Sequence, residues 1–163
     1  MDRLWAPWRV KYITKILKKQ KGCVFCKIFK QKKDAENFIF IRSKYCFSVL
    51  NIYPYNNGHC LVLPNRHVDS LKKMIREEKA DMFQLLEKTT DLLDKVLKPE
   101  GYNVGINFGR VAGAGFPDHV HIHVVPRWRG DVNFMPVTAN TRVISQSIGA
   151  VYKKLNHANK KRH

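Results

Sequence analysis

The pattern of apolar and polar positions along the chain predicts strands and helices in separate blocks. Short apolar runs bounded by turn residues predict a hairpin of residues 38–41 and 46–50, which a third strand at 59–63 extends into an antiparallel meander. Two further runs predict strands at 102–108 and 120–126. Because these strands are segregated from the helical segments, the pattern predicts an α+β fold.

Helical periodicity is present in two segments. Between the third and fourth strands, apolar residues recur at spacings of three and four after a predicted N-cap at Asp69 or Ser70, and the pattern stops at Pro99 and Gly101. The apolar face of this helix is predicted to contain Phe83, Leu86, Thr90, Leu93 and Leu97. A second amphipathic stretch contains Val143, Ile144, Ile148, Val151 and Leu155.

The length of 163 residues and the hydrophobic share of 44% predict one domain with a real core. We expect a basic aromatic arm at 1–21, a core at 22–130, a C-terminal extension with a helix at 131–156 and a basic tail at 157–163. No apolar run approaches the roughly 20 residues that cross a bilayer, and the first ten residues lack a signal-peptide core. We therefore expect a cytoplasmic protein that makes no membrane contact.

The net charge of +17 is concentrated at the two ends of the chain. Residues 1–33 contain 11 Lys or Arg and one acid, and residues 153–163 contain five Lys or Arg and no acid. Cationic ends attract polyanions through a salt-sensitive field, and Trp5 and Trp8 are available for stacking on bases. Solubility alone explains the charge equally well, so nucleic-acid binding through the basic arms is kept as an alternative that is not favoured.

The most informative stretch is His119-Val-His-Ile-His-Val-Val125. Alternate side chains of a strand point to the same face, about 6.6 Å apart, so His119, His121 and His123 are predicted to share one face while the residues between them pack into the core. Histidines gathered on one surface mark catalysis or a metal site more often than a structural role.

A glycine-rich segment, residues 109–117, directly precedes these histidines. Because glycine has no Cβ, four backbone N–H groups of this loop are predicted to be open to phosphate oxygens. The loop alone is weak evidence. Imidazole, however, is suited to attacking phosphorus near neutral pH and leaving again, so the loop and the histidines together indicate phosphoryl or nucleotidyl transfer.

The four cysteines form two groups. Cys46 and Cys60 lie in apolar strand-like runs, where a thiol behaves as a small buried hydrophobe. Cys23 and Cys26 have the spacing of a zinc knuckle, and His67 and one of the three clustered histidines are the available partners for a four-ligand site. A redox pair, which would be expected to open a helix between strands, and two unligated thiols in a loop are the alternatives.

Residues 119–125 resemble the signature of the histidine triad family of nucleotide hydrolases and transferases. The similarity covers most of residues 23–130 and includes Leu50-Asn51, Gly58-His59, Leu63-Pro64 and Asn107-Phe-Gly109 in the family's order. Three flanking segments are similar to the branch that contains bacterial diadenosine tetraphosphate phosphorylases: Arg3-Leu-Trp-Ala-Pro-Trp-Arg9, Asn51-Ile-Tyr-Pro-Tyr-Asn56 and Pro126-Arg-Trp128.

The resemblance implies a five-stranded antiparallel sheet with helices, in a homodimer whose two sheets continue as one. It implies that His121 attacks the α-phosphorus and forms a nucleotidyl-histidine intermediate, and that His123 binds phosphate oxygens. The further substrate-binding positions that it implies are Asn51 for the ribose, His59 for the nucleoside pocket, and Asn107, Gly113 and Gly115 near the phosphates. In zinc-bearing members the ligands correspond to Cys23, Cys26, His67 and His119, as a structural zinc, and no organic cofactor is implied.

The resemblance therefore implies a nucleotidyl transferase that cleaves dinucleoside polyphosphates such as diadenosine tetraphosphate, with inorganic phosphate as the acceptor. With water as the acceptor, the same residues would make a hydrolase of dinucleoside polyphosphates or nucleoside phosphoramidates, and the sequence does not distinguish the two. Gly115 occupies a position at which many hydrolases of the family carry a polar residue that orients the leaving group.

Overall fold

The computed structural model describes residues 22–131 and 144–161. The predicted arm at 1–21, which includes Trp5 and Trp8, lies outside the described residues, as do residues 132–143 of the predicted extension and residues 162–163 of the predicted tail. No helix in the described segments is long and apolar enough to cross a membrane.

Five strands form one antiparallel sheet in the order β1-β2-β3-β5-β4. The strands are β1 (Ile39–Arg42), β2 (Cys46–Leu50), β3 (Cys60–Pro64), β4 (Gly101–Ile106) and β5 (Ile122–Arg127). The helices are α1 (Val24–Gln31), α2 (Asp34–Asn37), α3 (Arg76–Leu97) and α4 (Ile148–Lys160), with 3₁₀ turns at Leu71–Lys73 and Arg110–Ala112. The five-stranded α+β fold predicted from the sequence is confirmed.

The two faces of the sheet carry separate apolar clusters. On one face, side chains such as Val62, Ile122 and Val124 pack with residues of α3 and α4. On the other face, Phe47 and Leu63 pack against Phe25 of α1 and against the partly buried residues around it. As predicted, Cys46 and Cys60 are buried free thiols.

Helices α1 and α2 were not predicted. The cysteine pair was predicted to follow the arm and was assigned to no helix or strand, but Cys23 is the N-cap of α1 and Cys26 lies in its first turn. The helical signal is the apolar spacing of Phe25, Ile28 and Phe29, which is short and set among lysines. The C-cap of helix α1 is Lys32, which has a left-handed backbone conformation with a φ of 51°.

The helix predicted between the third and fourth strands is present as α3, but its first residue and its buried face differ from the prediction. The helix begins at Arg76, because the Glu78 carboxylate accepts the Ile75 N–H at 3.0 Å, and not at a cap at Asp69 or Ser70. Its buried stripe is Glu78, Met82, Leu85, Thr89, Leu92 and Leu93, so the predicted face is rotated by one residue and Phe83 is 59% exposed. The core includes a polar contact between Thr89 and Ser48, whose hydroxyl oxygens lie 2.8 Å apart. An apolar count does not register such a pair.

Several boundaries also differ from the prediction. Strand β5 begins at Ile122, because the chain before it pairs with the loop after β3: the Val120 N–H donates to Val68 O at 2.7 Å. Strand β4 ends at Ile106, before Asn107 and Phe108. Helix α4 continues to Lys160, four residues into the segment predicted to be a tail.

Candidate active site and metal centre

The three clustered histidines share one face although only His123 lies within β5. Val120, Ile122 and Val124 pack into the cluster with α3 and α4. On the opposite side, the ring of Phe25 lies 5.5 Å from the ring of His119 and 5.4 Å from that of His121. The side chains of residues 119–124 therefore alternate between two faces as predicted from the sequence, and α1 covers the face that carries the histidines.

The imidazole of His121 is buried and held in one tautomer. Its Nδ1 donates to the carbonyl oxygen of His119 at 2.8 Å, which leaves Nε2 as the unprotonated nitrogen. Burial lowers the pKa of His121 below its ordinary value of 6.5. A neutral imidazole with its lone pair on a defined nitrogen is what nucleophilic attack requires.

His123 is held in the opposite tautomer by a chain of two hydrogen bonds. The backbone N–H of Tyr55 donates to Nδ1 of His59 at 3.0 Å, so His59 carries its proton on Nε2. That Nε2–H donates to Nδ1 of His123 at 3.0 Å. His123 therefore carries its own proton on Nε2, the nitrogen suited to donating to an oxyanion. The rings of His121 and His123 are 4.9 Å apart.

The aromatic ring of Tyr55 covers this hydrogen-bonded pair. It lies 4.5 Å from the ring of His59 and is nearly parallel to the ring of His123, at 5.7 Å and 17°. Tyr55 was not identified from the sequence, where it sits in a turn cluster. Phe25 was not identified either, because neither its place between two cysteines nor its short apolar spacing with Ile28 and Phe29 points to the histidines.

The remaining predicted substrate residues surround the histidines. Asn51 follows β2, with its amide nitrogen 3.3 Å from Nδ1 of His59 and its Oδ1 accepting the Tyr53 N–H at 2.9 Å. Asn107 directly follows β4, whose last residue, Ile106, pairs with Ile122, the residue after His121.

The glycine-rich loop differs from its predicted form. It folds into the 3₁₀ turn Arg110–Ala112, so the Gly113 N–H donates to Arg110 O at 2.9 Å and the Ala114 N–H to Gly109 O at 3.3 Å. At least two of its N–H groups are therefore used by the turn, where four were expected to be open to a ligand. Gly115 lies between the buried Ala114 and Phe116, whose ring packs on Phe25 at 5.2 Å.

The four predicted metal ligands come together at the start of α1. The ligand atoms of Cys23, Cys26, His67 and His119 all lie within 4.8 Å of one another. His119 donates from Nε2 to the carbonyl oxygen of Pro64 at 3.0 Å, which leaves the lone pair on Nδ1 facing the sulfurs of Cys23 at 3.3 Å and Cys26 at 3.7 Å. Nδ1 of His67 lies 3.4 Å from the Cys26 sulfur.

The three sulfur–nitrogen distances of 3.3, 3.4 and 3.7 Å fit a tetrahedral zinc ion, while the widest separation in the group, up to 4.8 Å, would have to shorten around the metal. Bonds of about 2.3 Å to sulfur and 2.0 Å to nitrogen separate the ligand atoms by roughly 3.3–3.8 Å. Burial, and then the neighbouring Cys23, raise the pKa of Cys26 to about 11, while burial lowers the pKa of His119 to about 4. A neutral His119 is ready to bind a metal, and a divalent cation would supply the charge that a Cys26 thiolate needs.

The fold and the site define a class of protein in which a buried imidazole protonated on Nδ1, a neighbouring imidazole protonated on Nε2 and four residues able to bind a metal share one side of a five-stranded sheet. The chain belongs to the HIT domain family, whose family model matches residues 32–130. It is 37% identical over 153 residues to AP-4-A phosphorylase of Mycobacterium tuberculosis, covering 90% of this chain and 78% of that protein.

Two further relatives extend the comparison. Adenosine 5'-monophosphoramidase hnt1 of Schizosaccharomyces pombe is 37% identical over 106 residues, which cover 65% of this chain and 74% of that protein. The crystal structure of a Zn-bound histidine triad family protein from Mycobacterium smegmatis superposes with a TM-score of 0.69 at 26% identity and covers 86% of this chain and 95% of that one.

Proposed function

We propose that the chain is a nucleotidyl transferase that cleaves dinucleoside polyphosphates, with diadenosine tetraphosphate as substrate and inorganic phosphate as acceptor. The observation that carries the proposal is the neutral, buried His121, whose proton is fixed on Nδ1 beside a His123 whose proton is fixed on Nε2. The similarity to AP-4-A phosphorylase over 90% of the chain supports the choice of substrate and acceptor.

In the first step, Nε2 of His121 attacks the α-phosphorus, a nitrogen–phosphorus bond forms, and the bond to the leaving ATP oxygen breaks. The positive charge that develops on the imidazole is stabilised by the His119 carbonyl oxygen, which accepts the Nδ1 proton. The Nε2–H of His123 donates to a phosphate oxygen and stabilises the negative charge there.

In the second step, an oxygen of inorganic phosphate attacks the same phosphorus. The nitrogen–phosphorus bond breaks, ADP leaves, and His121 regains its lone pair. Water as the attacking group would give AMP instead. The similarity to a phosphoramidase over 65% of the chain makes hydrolysis of phosphoramidates the second candidate.

Nucleoside contacts are assigned to the loop that follows β2. We infer that Asn51 binds the ribose and that His59, whose Nδ1 lies 3.3 Å from the Asn51 amide nitrogen, lines the nucleoside pocket. Asn107 is assigned to the phosphates, and the pairing of its neighbour Ile106 with Ile122, next to His121, supports the assignment. Gly113 and Gly115 are assigned to the same region because they lie in the loop leading to the histidines.

The experiment is incubation with diadenosine tetraphosphate, with and without phosphate, followed by chromatography of the products. ADP and ATP formed only with phosphate are the expected result, and AMP and ATP without phosphate would establish hydrolysis instead. His121→Asn should abolish turnover. Activity equal to the parent in that variant would refute the nucleophile assignment.

The metal centre is assigned to a structural zinc ion held by Cys23, Cys26, His67 and His119. With all four positions taken by protein ligands, the ion would stabilise the fold and leave no site for an activated water. Thiolate ligands also require reduced cysteines, which supports the expectation of a cytoplasmic protein. Elemental analysis of protein purified without chelator should give about one zinc per chain.

The matched control for zinc binding is another cysteine. Cys26→Ser should lose the metal, and Cys46→Ser, which alters a thiol outside the cluster, should retain it. Zinc in neither the parent nor the control would refute the assignment.

A homodimer formed through β4 is the third part of the proposal. Strand β4 is at the edge of the sheet, paired with β5 on one side, and its Val104 side chain is 49% exposed. An edge of this kind is a template for pairing with another strand. Light scattering should give twice the chain mass of 19.0 kDa. Val104→Lys should lower that mass, whereas Val111→Lys, at a fully exposed valine in the 3₁₀ turn after β4, should not.

A further inference from the structure

Two segments that flank the site, residues 51–56 and 126–128, are joined by a group of polar side chains: Asn56, Arg127 and Asp131, called here the loop clamp. We propose that the loop clamp fixes the loop at residues 51–59 so that His59 keeps the tautomer on which His123 depends. Asn56 and Asp131 are then positioning residues for the transfer reaction. This inference rests on the proposed function for its kinetic consequence, but its structural consequence can be measured without turnover.

The centre of the loop clamp is the side chain of Asn56. Its Nδ2 donates to the carbonyl oxygen of Pro126 at 3.1 Å and to Oδ2 of Asp131 at 2.7 Å. Its Oδ1 accepts the N–H of Asn57 at 2.9 Å, and its backbone oxygen accepts the N–H of His59 at 3.2 Å. The oxygen of this side-chain amide therefore stabilises the loop itself, and its nitrogen binds the loop to the C-terminal end of β5 and to Asp131.

Asp131 is held firmly enough to serve as an anchor. Its side chain is 6% exposed and accepts from Nε and Nη2 of Arg127, at 2.6 and 2.9 Å, and from the N–H of Trp128 at 3.1 Å. Arg127 also donates to Oδ1 of Asn103 on β4 at 2.6 Å. The anchor is thus tied to two strands of the sheet, and a bidentate arginine–carboxylate pair fixes its direction.

The loop clamp reaches the imidazole ring of His59 through Tyr55. Asn56 directly follows Tyr55, whose N–H donates to Nδ1 of His59. With that bond in place, His59 must carry its proton on Nε2 and donate to His123. The amide nitrogen of Asn51, at the start of the same loop, also faces Nδ1 of His59, at 3.3 Å. If the loop moved away with both donors, His59 could place its proton on Nδ1. Its Nε2 would then accept from His123, and His123 would present a lone pair, not a proton, to a phosphate oxygen.

The first test reads the tautomers directly, by long-range ¹⁵N NMR of the imidazoles in the zinc-loaded full chain. The parent should show His59 and His123 each protonated on Nε2. Asn56→Ala should add the Nδ1–H form of His59 or average the two forms. The matched control is Asn37→Ala, because the Asn37 amide also donates to one side chain, Gln31, and one carbonyl oxygen, that of Lys33, but lies on α2. An Asn56→Ala spectrum identical to the parent would overturn the proposal.

The second test is kinetic. Asn56→Ala should lower kcat for diadenosine tetraphosphate cleavage by about 2- to 12-fold, the factor that corresponds to losing one hydrogen bond between neutral groups, here that from the Tyr55 N–H to His59. Asn37→Ala should leave kcat unchanged. Asn56→Asp places two carboxylates 2.7 Å apart and should be worse, and adding Asp131→Asn restores one amide and one carboxylate and should recover part of kcat. Equal loss of kcat in the single and exchanged variants would contradict the proposal.

The two failures are distinguishable. If the parent does not cleave the substrate, the proposed function fails, and the NMR comparison still decides whether the loop clamp controls the tautomer. If Asn56→Ala does not fold, Asp131→Asn takes its place, because it keeps the shape of the side chain and removes the charge that faces Arg127. An unchanged His59 tautomer and unchanged kcat in that variant would overturn the proposal.

Discussion

Replacing Phe25 with leucine should change the pH dependence of the chemical step. The Phe25 ring is 6% exposed and lies against the imidazoles of His119 and His121. Burial is the main cause of the lowered pKa of His121. A smaller side chain admits water to the ring, so the pKa of His121 should rise towards its ordinary value. Because attack needs the neutral imidazole, the acid limb of the single-turnover rate should move to higher pH.

The cost in stability can be worked out from the same contacts. The substitution removes roughly three buried carbon atoms at about 0.8 kcal/mol each, or about 2 kcal/mol. For a chain of this length, that corresponds to a fall in Tm of about 4–8 °C. The variant should therefore remain folded at the assay temperature, and its zinc content is measured in the same samples.

The matched control is Phe47→Leu. Phe47 is fully buried in the same apolar cluster and packs against Phe29 at 5.2 Å. Both variants should lose a similar free energy of unfolding, but only Phe25→Leu should move the acid limb, measured by rapid-quench single turnover across the pH range. An acid limb that stays in place in Phe25→Leu, or that moves equally in both variants, would refute the reasoning.

Three further outcomes are expected. Thr89→Val leaves the buried Ser48 hydroxyl without its 2.8 Å partner and should lower the free energy of unfolding, measured in urea, by about 1–3 kcal/mol. The double variant Ser48→Ala/Thr89→Val should be closer to the parent. A single variant as stable as the parent would contradict this expectation. Gly58→Ala places a methyl group against Leu97 at a φ of 73°, so it should lower Tm by the equivalent of at least about 1 kcal/mol, and an unchanged Tm would be the contrary result. Arg127 lowers the pKa of Asp131 from 3.8 to about 2, so the ionised carboxylate stabilises the fold above pH 4 and this contribution is lost as the pH falls from about 4 to about 2. The free energy of unfolding should therefore fall less steeply with acid in Asp131→Asn, and equal slopes would count against the ion pair.

The sequence predicted what depends on periodicity and on the identity of chemical groups. Alternation alone placed the clustered histidines on one face, and spacing alone limited the partners of Cys23 and Cys26. The apolar stripe of α3 was misplaced by one residue because two stripes with the same spacing run along this helix, and the buried stripe includes the polar Thr89, whose hydroxyl pairs with that of Ser48 across the core. Helix α1 was missed because its stability comes from Phe25 packing on residues distant in sequence, which no local pattern records.

The loop clamp is a second feature that the sequence did not predict. Asn56 and Asp131 are 75 positions apart, and neither stands out as a catalytic group in the sequence. Their importance arises only when β5 ends beside the loop that follows β2, a placement set by the order of strands. Polar side chains that position other groups are thus harder to find from sequence than the groups that react, because their partners are set by topology.

Alternation on a strand would by itself make the three histidines equivalent, and their separate roles come from the groups that fix their protons. The carbonyl oxygen of Pro64 accepts a hydrogen bond from Nε2–H of His119, which leaves the Nδ1 lone pair facing the two cysteines. The carbonyl oxygen of His119 accepts a hydrogen bond from Nδ1–H of His121, which leaves the Nε2 lone pair for the proposed attack on phosphorus. His59 donates to Nδ1 of His123, which leaves a proton on Nε2 for an oxygen. Because His119, whose ring faces the cysteines, also supplies the carbonyl oxygen that orients His121, the proposed metal centre and the proposed nucleophile are connected through a single residue, so a structural ion at this centre would also fix the position of the attacking nitrogen.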